Sequence, residues 1–187
     1  MESLKFEWEE TKLFDDPNQC DVYAKRMWDL VEANRTADDM YVVGSKFSYG
    51  TFDDLLKEKC EYFSNIVGKK LLPTFSAARL YGKNQVMQYH VDQDACEYAV
   101  TTNLGWKGKN LYPFYLTNDA HEVLLDKNEC VVYKGIEIPH WREKWDCEEN
   151  DWLVQLFMFY VDADGPYAEH ANHKRNKLGD GSGTVWY

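Results

Sequence analysis

The sequence predicts a mainly β domain of the sandwich or jelly-roll type, preceded by a layer of helices. From about residue 70, short runs of β-branched and aromatic residues recur at regular spacing and are separated by turn residues. The first third of the chain instead carries apolar residues at helical spacing. Since 187 residues is about the length of one domain, we expect a helical support layer over 1–69, a β core over 70–163 and a C-terminal tail over 164–187.

Two amphipathic helices are expected in the support layer. Within residues 18–34, four apolar side chains share one helical face at i, i+4, i+7 and i+8: Tyr23, Met27, Leu30 and Val31. The second helix should begin at Thr51, which is a favourable N-cap, and end at Gly68. The apolar side chains on its buried face would be Phe52, Leu55, Leu56, Cys60 and Phe63.

Seven strands are expected in the β core, because seven short segments combine aromatic and β-branched residues between turn signals. They are Phe75–Tyr81, Val86–His90, Tyr98–Leu104, Leu111–Leu116, Glu122–Leu125, Cys130–Tyr133 and Leu153–Val161. The segments 82–84 and 126–128, each of which contains Lys and Asn, are predicted turns.

Composition and charge exclude several classes of protein. Twenty-one Lys and Arg stand against thirty-two Asp and Glu, a net charge of −11, whereas a general duplex-DNA binder needs a cationic face. A local basic groove for a single strand stays open. Seven Trp, thirteen Tyr and nine Phe exclude a disordered chain. No apolar run reaches the length of a membrane span, and the first ten residues lack the pattern of a secretory signal.

The five cysteines are odd in number, widely spaced and free of any Cys-x-x-Cys pair. This usage argues against a zinc ribbon and against a disulfide scaffold. We therefore expect reduced thiols and a cytoplasmic protein.

Candidate metal ligands lie in the segment Tyr89–Asp92, which contains a His-x-Asp motif. Residues two apart on a strand point to the same face, so that His90 and Asp92 can ligate one ion. The motif alone is weak, but His140 follows 48 residues after Asp92, about the length that a jelly roll needs to return to the facing side. Two His and one carboxylate on one face form the facial triad of non-haem Fe(II) oxygenases, which leaves metal positions open for a 2-oxo acid and O₂.

The order and spacing of these segments resemble the 2-oxoglutarate- and Fe(II)-dependent dioxygenases, closest to their prolyl-hydroxylase-like branch. The resemblance runs from Pro73 to Asp162, about half of the chain. Its matching pieces are ARLYGKNQVMQYHVD, the polar strand EYAVTTNLG, ECVVYKGIEIPHWRE and the closing strand that ends FYVDADGP. The HWRE sequence around His140 is similar to that of small bacterial and phage-encoded members. The expected compartment is the cytoplasm, which would be a host cytoplasm if the protein is phage-encoded.

The resemblance implies a double-stranded β-helix (a jelly-roll, cupin-like fold), Fe(II), 2-oxoglutarate as co-substrate and ascorbate as reductant. It implies hydroxylation of a small-molecule or peptidyl substrate with release of succinate and CO₂. The positions that match the family's metal ligands are His90, Asp92 and His140. The positions that match family contacts to 2-oxoglutarate are Tyr81, Thr101 and Asn103.

One departure concerns the closing strand, Trp152–Tyr160, which has no Lys or Arg where the family places a base for the distal carboxylate of 2-oxoglutarate. The planar fork of Arg suits a carboxylate best. Arg142 lies two residues beyond His140, on the same face if the segment is extended, and is the first candidate. Arg79, which alternates with Tyr81, is the second. The alternative for Arg142 is a surface ion pair with Glu143 or Glu148.

Two other functions stay open at this point. A catalytically inactive jelly roll, acting as a binding or virion-associated module, is consistent with the missing base on the closing strand. A cupin-like metal enzyme that uses no 2-oxoglutarate is the other. Trp141 and Trp145 are expected either to line a substrate mouth or to pack in the core, and His170 and His173 to be solvated in a polar tail.

Overall fold

Eleven strands and three α-helices make up the part of the chain that the computed structural model describes, residues 6–39 and 41–172. The strands are β1 (Trp8–Lys12), β2 (Ala37–Asp38), β3 (Lys46–Tyr49), β4 (Leu71–Tyr81), β5 (Met87–His90), β6 (Tyr98–Lys107), β7 (Phe114–Leu116), β8 (His121–Val123), β9 (Glu129–Tyr133), β10 (His140–Arg142) and β11 (Trp152–Asp162). The helices are α1 (Gln19–Glu32), α2 (Asp53–Glu58) and α3 (Cys60–Val67).

The described strands form two antiparallel sheets. The major sheet has the order β1-β9-β6-β11-β4-β3-β2, and the minor sheet has the order β5-β10-β7-β8. One apolar core lies between the sheets, and a second lies between the major sheet and the helices. The mainly β prediction with N-terminal helices is therefore confirmed.

Strand β11 is buried on both faces, which explains its nearly continuous apolar sequence. The side chains that pack toward the helices are Val154, Leu156, Met158 and Tyr160. The side chains that point between the two sheets are Leu153, Phe157 and Phe159. Gln155 occupies an inward position in this second series and is 1% exposed, so that it brings a polar group into the space between the sheets.

The predicted second helix is divided into α2 and α3 at Lys59. Tyr160 contacts both halves: its hydroxyl donates to the Leu56 carbonyl at 2.9 Å, and its ring packs against Phe63 at 5.9 Å. Gly68 ends α3 in the left-handed conformation, with φ of 73°, as the sequence predicts.

Strands β1, β2 and β3 are not predicted from the sequence, although they belong to the segment 1–69. Strand β1 has the sequence WEETK and is mostly exposed at the edge of the major sheet. A short, charged edge strand lacks the apolar alternation from which strands are recognised. The support layer therefore contributes strands to the sheet as well as helices.

The tail is described as far as Asn172, and it includes a short 3₁₀ turn at Ala168–His170. His173, the second of the two histidines expected to be solvated in the tail, lies outside the described residues. Within the ranges described, no helix combines the length and the apolar character that a membrane crossing requires.

Candidate metal centre

The three predicted ligands meet where β5 ends and β10 begins. His90 and His140 are opposite each other in the pairing of these strands, and their ring centroids are 4.3 Å apart. Asp92 follows β5 directly, with its Oδ1 atom 3.8 Å from His90 Nε2 and 3.6 Å from His140 Nε2. The three candidate ligand atoms all lie within 4.8 Å of one another, so that one metal ion can be held between them.

The tautomers of both imidazoles suit metal binding. Nδ1 of His90 lies 2.7 Å from the Gln88 carbonyl oxygen, and Nδ1 of His140 lies 3.0 Å from the Ile138 carbonyl oxygen. A carbonyl can only accept, so Nδ1 carries the proton in each ring and Nε2 presents a lone pair. Such contacts fix the orientation of histidine ligands in metal sites.

Burial shifts the pKa values of all three candidate ligands toward their uncharged forms. It raises the pKa of Asp92 to about 8, against the lowering effect of Arg79. It lowers the pKa of His140 to about 3, with His90 adding to the effect, and it lowers the pKa of His90. Asp92 Oδ2 is buried and has no hydrogen-bond partner. Two imidazole Nε2 atoms and a buried carboxyl group therefore converge, and a divalent cation would stabilise the ionised carboxylate that burial disfavours.

Gly135 positions Asp92. Its carbonyl accepts from the Asp92 N–H at 2.8 Å. A Cβ atom on residue 135 would lie 2.5 Å from Asp92 Oδ2 and 2.5 Å from the Cys96 carbonyl oxygen. Only glycine leaves room for the carboxylate in this position.

A cavity of about 350 Å³ opens between the two sheets beside the three candidate ligands. Arg79 forms part of its wall. The guanidinium of Arg79 pairs through Nε with the Asp39 carboxylate and donates through Nη1 to the Tyr81 hydroxyl at 2.8 Å. Burial opposes the charge of Arg79, but Tyr81 and Asp39 raise its pKa overall. The cation in the cavity wall is therefore already neutralised by an acid.

Arg142 lies deeper, outside the residues that line the cavity, and is 2% exposed. Its Nη1 donates to the carbonyl oxygens of Tyr112 and Pro113, and its Nη2 donates to Gln155 Oε1 at 2.9 Å. Among the described residues, no acidic side chain forms an ion pair with Arg142, and burial lowers its pKa. The alternative of a surface pair with Glu143 or Glu148 is therefore wrong.

Two buried nitrogen donors lack a hydrogen-bond acceptor here: Nε of Arg142 and Nε2 of Gln155. Both Arg142 and Arg79 also lie near Tyr81, with guanidinium carbons 5.4 and 5.3 Å from the centre of its ring. Two donors without an acceptor therefore lie beside a buried guanidinium, and an anion placed there would satisfy both of them.

Thr101 and Asn103 lie on the inward side of β6 but do not line the cavity. Thr101 approaches the hydroxyl of Tyr133, which is a cavity residue, at 3.4 Å. The Asn103 amide donates to the Leu125 carbonyl and accepts from the Gly105 N–H, both at 2.8 Å. Its side chain thus secures the backbone of β6, and its contact with a co-substrate stays a prediction.

The two candidate mouth tryptophans do not line the cavity. Trp145 is 2% exposed and stacks on Tyr112 at 5.0 Å, as the core alternative predicts. Trp141 lies on the outer face of the minor sheet, in contact with Tyr89 and Tyr115.

Sequence reasoning did not find the roles of Asp39 and Gly135. Both act on residues far away along the chain, Arg79 and Asp92, so that no local pattern points to them. The sequence does point to Gln155, because it is the one polar residue in the centre of the otherwise apolar strand β11.

Comparison with solved structures shows the fold. A prolyl-4-hydroxylase from Pseudomonas putida superposes with a TM-score of 0.62 at 12% identity, covering 81% of this chain and 91% of that one. A collagen prolyl hydroxylase from Paramecium bursaria Chlorella virus-1, in complex with 2-oxoglutarate, gives 0.63 at 12% identity and covers 85% and 99%. HygX from Streptomyces hygroscopicus, with nickel and 2-oxoglutarate bound, gives 0.62 at 11% identity and covers 86% and 84%.

The chain therefore has the double-stranded β-helix fold of the 2-oxoglutarate- and Fe(II)-dependent oxygenases, and the predicted resemblance is confirmed at the level of the fold. No protein-family profile and no curated protein matches the sequence. Since one fold serves many functions, the activity has to be argued from the site.

Proposed function

We propose that this protein is an Fe(II)- and 2-oxoglutarate-dependent dioxygenase that hydroxylates its substrate. The observation that carries the proposal is the convergence of two imidazole Nε2 atoms and one carboxylate beside a cavity, within 4.8 Å of one another. Two His and one carboxylate are the ligand set of non-haem Fe(II) oxygenases. The fold shared with those enzymes supports the same reaction class.

His90, Asp92 and His140 would hold the iron. Together with 2-oxoglutarate and O₂, the iron would supply oxidative decarboxylation to succinate and CO₂ coupled to hydroxylation of a C–H bond. The carbonyls of Gln88 and Ile138 keep both imidazoles in the ligating tautomer. Ascorbate would act as the reductant, as the resemblance implies.

The distal carboxylate of 2-oxoglutarate would be bound by Arg142 and Gln155. The unpaired Arg142 Nε and Gln155 Nε2 supply two donors and an uncompensated charge. Arg79 is the weaker candidate, because Asp39 already neutralises it. A buried carboxylate needs such a cation, since an unpaired buried charge is costly. The base that the closing strand lacks would thus come from β10.

The imidazole of His140 is held by aromatic neighbours. The Tyr133 ring lies 4.9 Å from it in an edge-on arrangement, and the Phe114 ring lies 5.8 Å away. These contacts restrict the ring and exclude water from its buried side. A ligand ring held in this way is preorganised for metal binding.

No observation favours the inactive module or the cupin-like enzyme. The missing base suggested the inactive module, and in this proposal Arg142 would replace that base. The substrate is proposed to be a small molecule or a peptidyl group, and the net charge of −11 argues against duplex nucleic acid.

Slow succinate release should accompany this activity even without the prime substrate. Protein supplied with Fe(II), ascorbate, O₂ and 2-oxoglutarate should convert the 2-oxo acid to succinate, and the His140→Ala variant should not. Succinate is measured by chromatography against a sample without protein. Iron binding without any succinate under these conditions would contradict an active oxygenase and favour the inactive module.

A further inference from the structure

The cavity wall across from the three candidate ligands is aromatic. Five rings from three adjacent strands of the major sheet form it, here called the aromatic wall: Phe47 and Tyr49 of β3, Phe75 of β4, and Phe157 and Phe159 of β11. Neighbouring rings touch, with centroids 4.5 Å apart for Phe47 and Tyr49 and 4.7 Å apart for Phe75 and Phe159.

The aromatic wall faces open space. Phe47, Phe157 and Phe159 are 8%, 7% and 9% exposed, whereas Leu156 and Met158, on the opposite face of β11, are 0% exposed. All three rings line the cavity, and their residual exposure is on the cavity side of the major sheet. A molecule that entered the cavity would therefore pack directly against them.

The cavity offers no free charge away from the three candidate ligands. Arg79 is the only other Lys, Arg, Asp or Glu among the lining residues described. Asp39 neutralises it, and its guanidinium carbon lies 5.1 Å from the Phe47 ring centre and 5.2 Å from that of Phe157. A charged substrate group would be buried here without a partner, which is unfavourable.

From these observations we propose that the prime substrate presents an uncharged aromatic ring, or a similarly flat apolar group, to this cavity. The inference rests on the proposed function and names its substrate class. A volume of about 350 Å³ is near the small end for ligand sites, so the buried part is small. Ring–ring packing should favour an aromatic probe over its saturated analogue by about two- to tenfold.

The test uses three probes that share one ring system: indole, which is neutral, indole-3-acetate, which is an anion, and tryptamine, which is a cation. Each is titrated by calorimetry into the full chain loaded with Ni(II) and 2-oxoglutarate, so that no turnover occurs. Indole is expected to bind at least tenfold more tightly than either charged probe. It should also bind more tightly than a fourth compound, N-acetyl-octahydroindole, which is saturated and neutral.

An Ala77→Leu variant tests the location. Ala77 lines the cavity and pairs with Phe157 of β11 and Tyr49 of β3, so the larger side chain should fill the space beside the aromatic wall. Indole affinity should fall at least tenfold, while the affinities for Ni(II) and 2-oxoglutarate change less than twofold. Ala33→Leu adds the same bulk at an exposed position and should change none of the three affinities.

The outcomes separate the two proposals. Tightest binding of indole-3-acetate or of tryptamine would overturn the inference, and so would the absence of indole binding to protein that binds Ni(II) and 2-oxoglutarate. Should Ni(II) or 2-oxoglutarate fail to bind, the proposed function fails, and indole titrated into the metal-free chain still decides the inference. If Ala77→Leu does not fold, the probe series on the parent protein gives the decision.

Discussion

Replacing His90 by Ala should lower the affinity of the protein for Fe(II) by more than about 100-fold. Loss of an outer partner of a ligand typically costs 10–100-fold, and loss of the ligand itself should cost more. The side chain of His90 is 36% exposed, so the fold should survive the change. His140→Ala should have the same effect on the metal. Anaerobic calorimetry with Fe(II) measures the affinity, and circular dichroism monitors the fold.

The matched control is His121→Ala, which removes an exposed histidine on β8 and should leave Fe(II) binding unchanged. Gly135→Ala probes the same centre through the backbone, since its Cβ would collide with Asp92 Oδ2. It should weaken Fe(II) binding by about 10–100-fold. Gly105→Ala, where a Cβ meets only ordinary contacts from 3.6 Å, should not. Undiminished Fe(II) affinity in folded His90→Ala and His140→Ala would refute the ligand assignment.

Gln155→Glu should nearly abolish binding of 2-oxoglutarate while leaving metal binding intact. The new carboxylate would pair with Arg142, whose Nη2 already lies 2.9 Å from Gln155 Oε1, and would repel the distal carboxylate of the co-substrate. Juxtaposed like charges cost several kcal/mol, and about 3 kcal/mol corresponds to more than 100-fold in affinity. Titration of 2-oxoglutarate into the Ni(II)-loaded protein gives the affinity.

Gln19→Glu makes the same charge change at an exposed site and serves as the control. Arg142→Gln should also weaken 2-oxoglutarate binding strongly, although it removes two hydrogen bonds to backbone carbonyls as well. Arg79→Gln should have a smaller effect. If Gln155→Glu and Arg142→Gln bind 2-oxoglutarate like the parent while Arg79→Gln does not, the anchor is Arg79.

Much of the β core follows from local pattern. The run predicted as Leu153–Val161 is β11, Trp152–Asp162, because a strand buried on both faces must be apolar throughout. Strand β1 escapes the same reasoning because its charged residues face solvent at a sheet edge. Strand β10 has only three residues, too few for alternation to show.

Part of the candidate site could be predicted from the sequence and part could not. The sequence predicts the three candidate ligands, His90, Asp92 and His140, as one group. Alternation along a strand places the first two on one face, and the length of chain that a jelly roll needs to return brings the third opposite them. The structure places their ligand atoms within 4.8 Å of one another. The surroundings of the two arginines, in contrast, could not be predicted from the sequence. Whether Arg79 or Arg142 carries an unneutralised charge depends on Asp39 and Gln155, and such long-range contacts leave no trace in local spacing.

The most direct test of the proposed oxygenase site is the absorption spectrum of the protein under anaerobic conditions, first with Fe(II) and then with 2-oxoglutarate. A visible charge-transfer band should appear only when both are present, and Gln155→Glu should suppress it at 2-oxoglutarate concentrations that saturate the parent. Fe(II) binding without a band at any concentration of 2-oxoglutarate would contradict the co-substrate and favour a cupin-like enzyme. Failure to bind Fe(II) at all would contradict the metal centre itself.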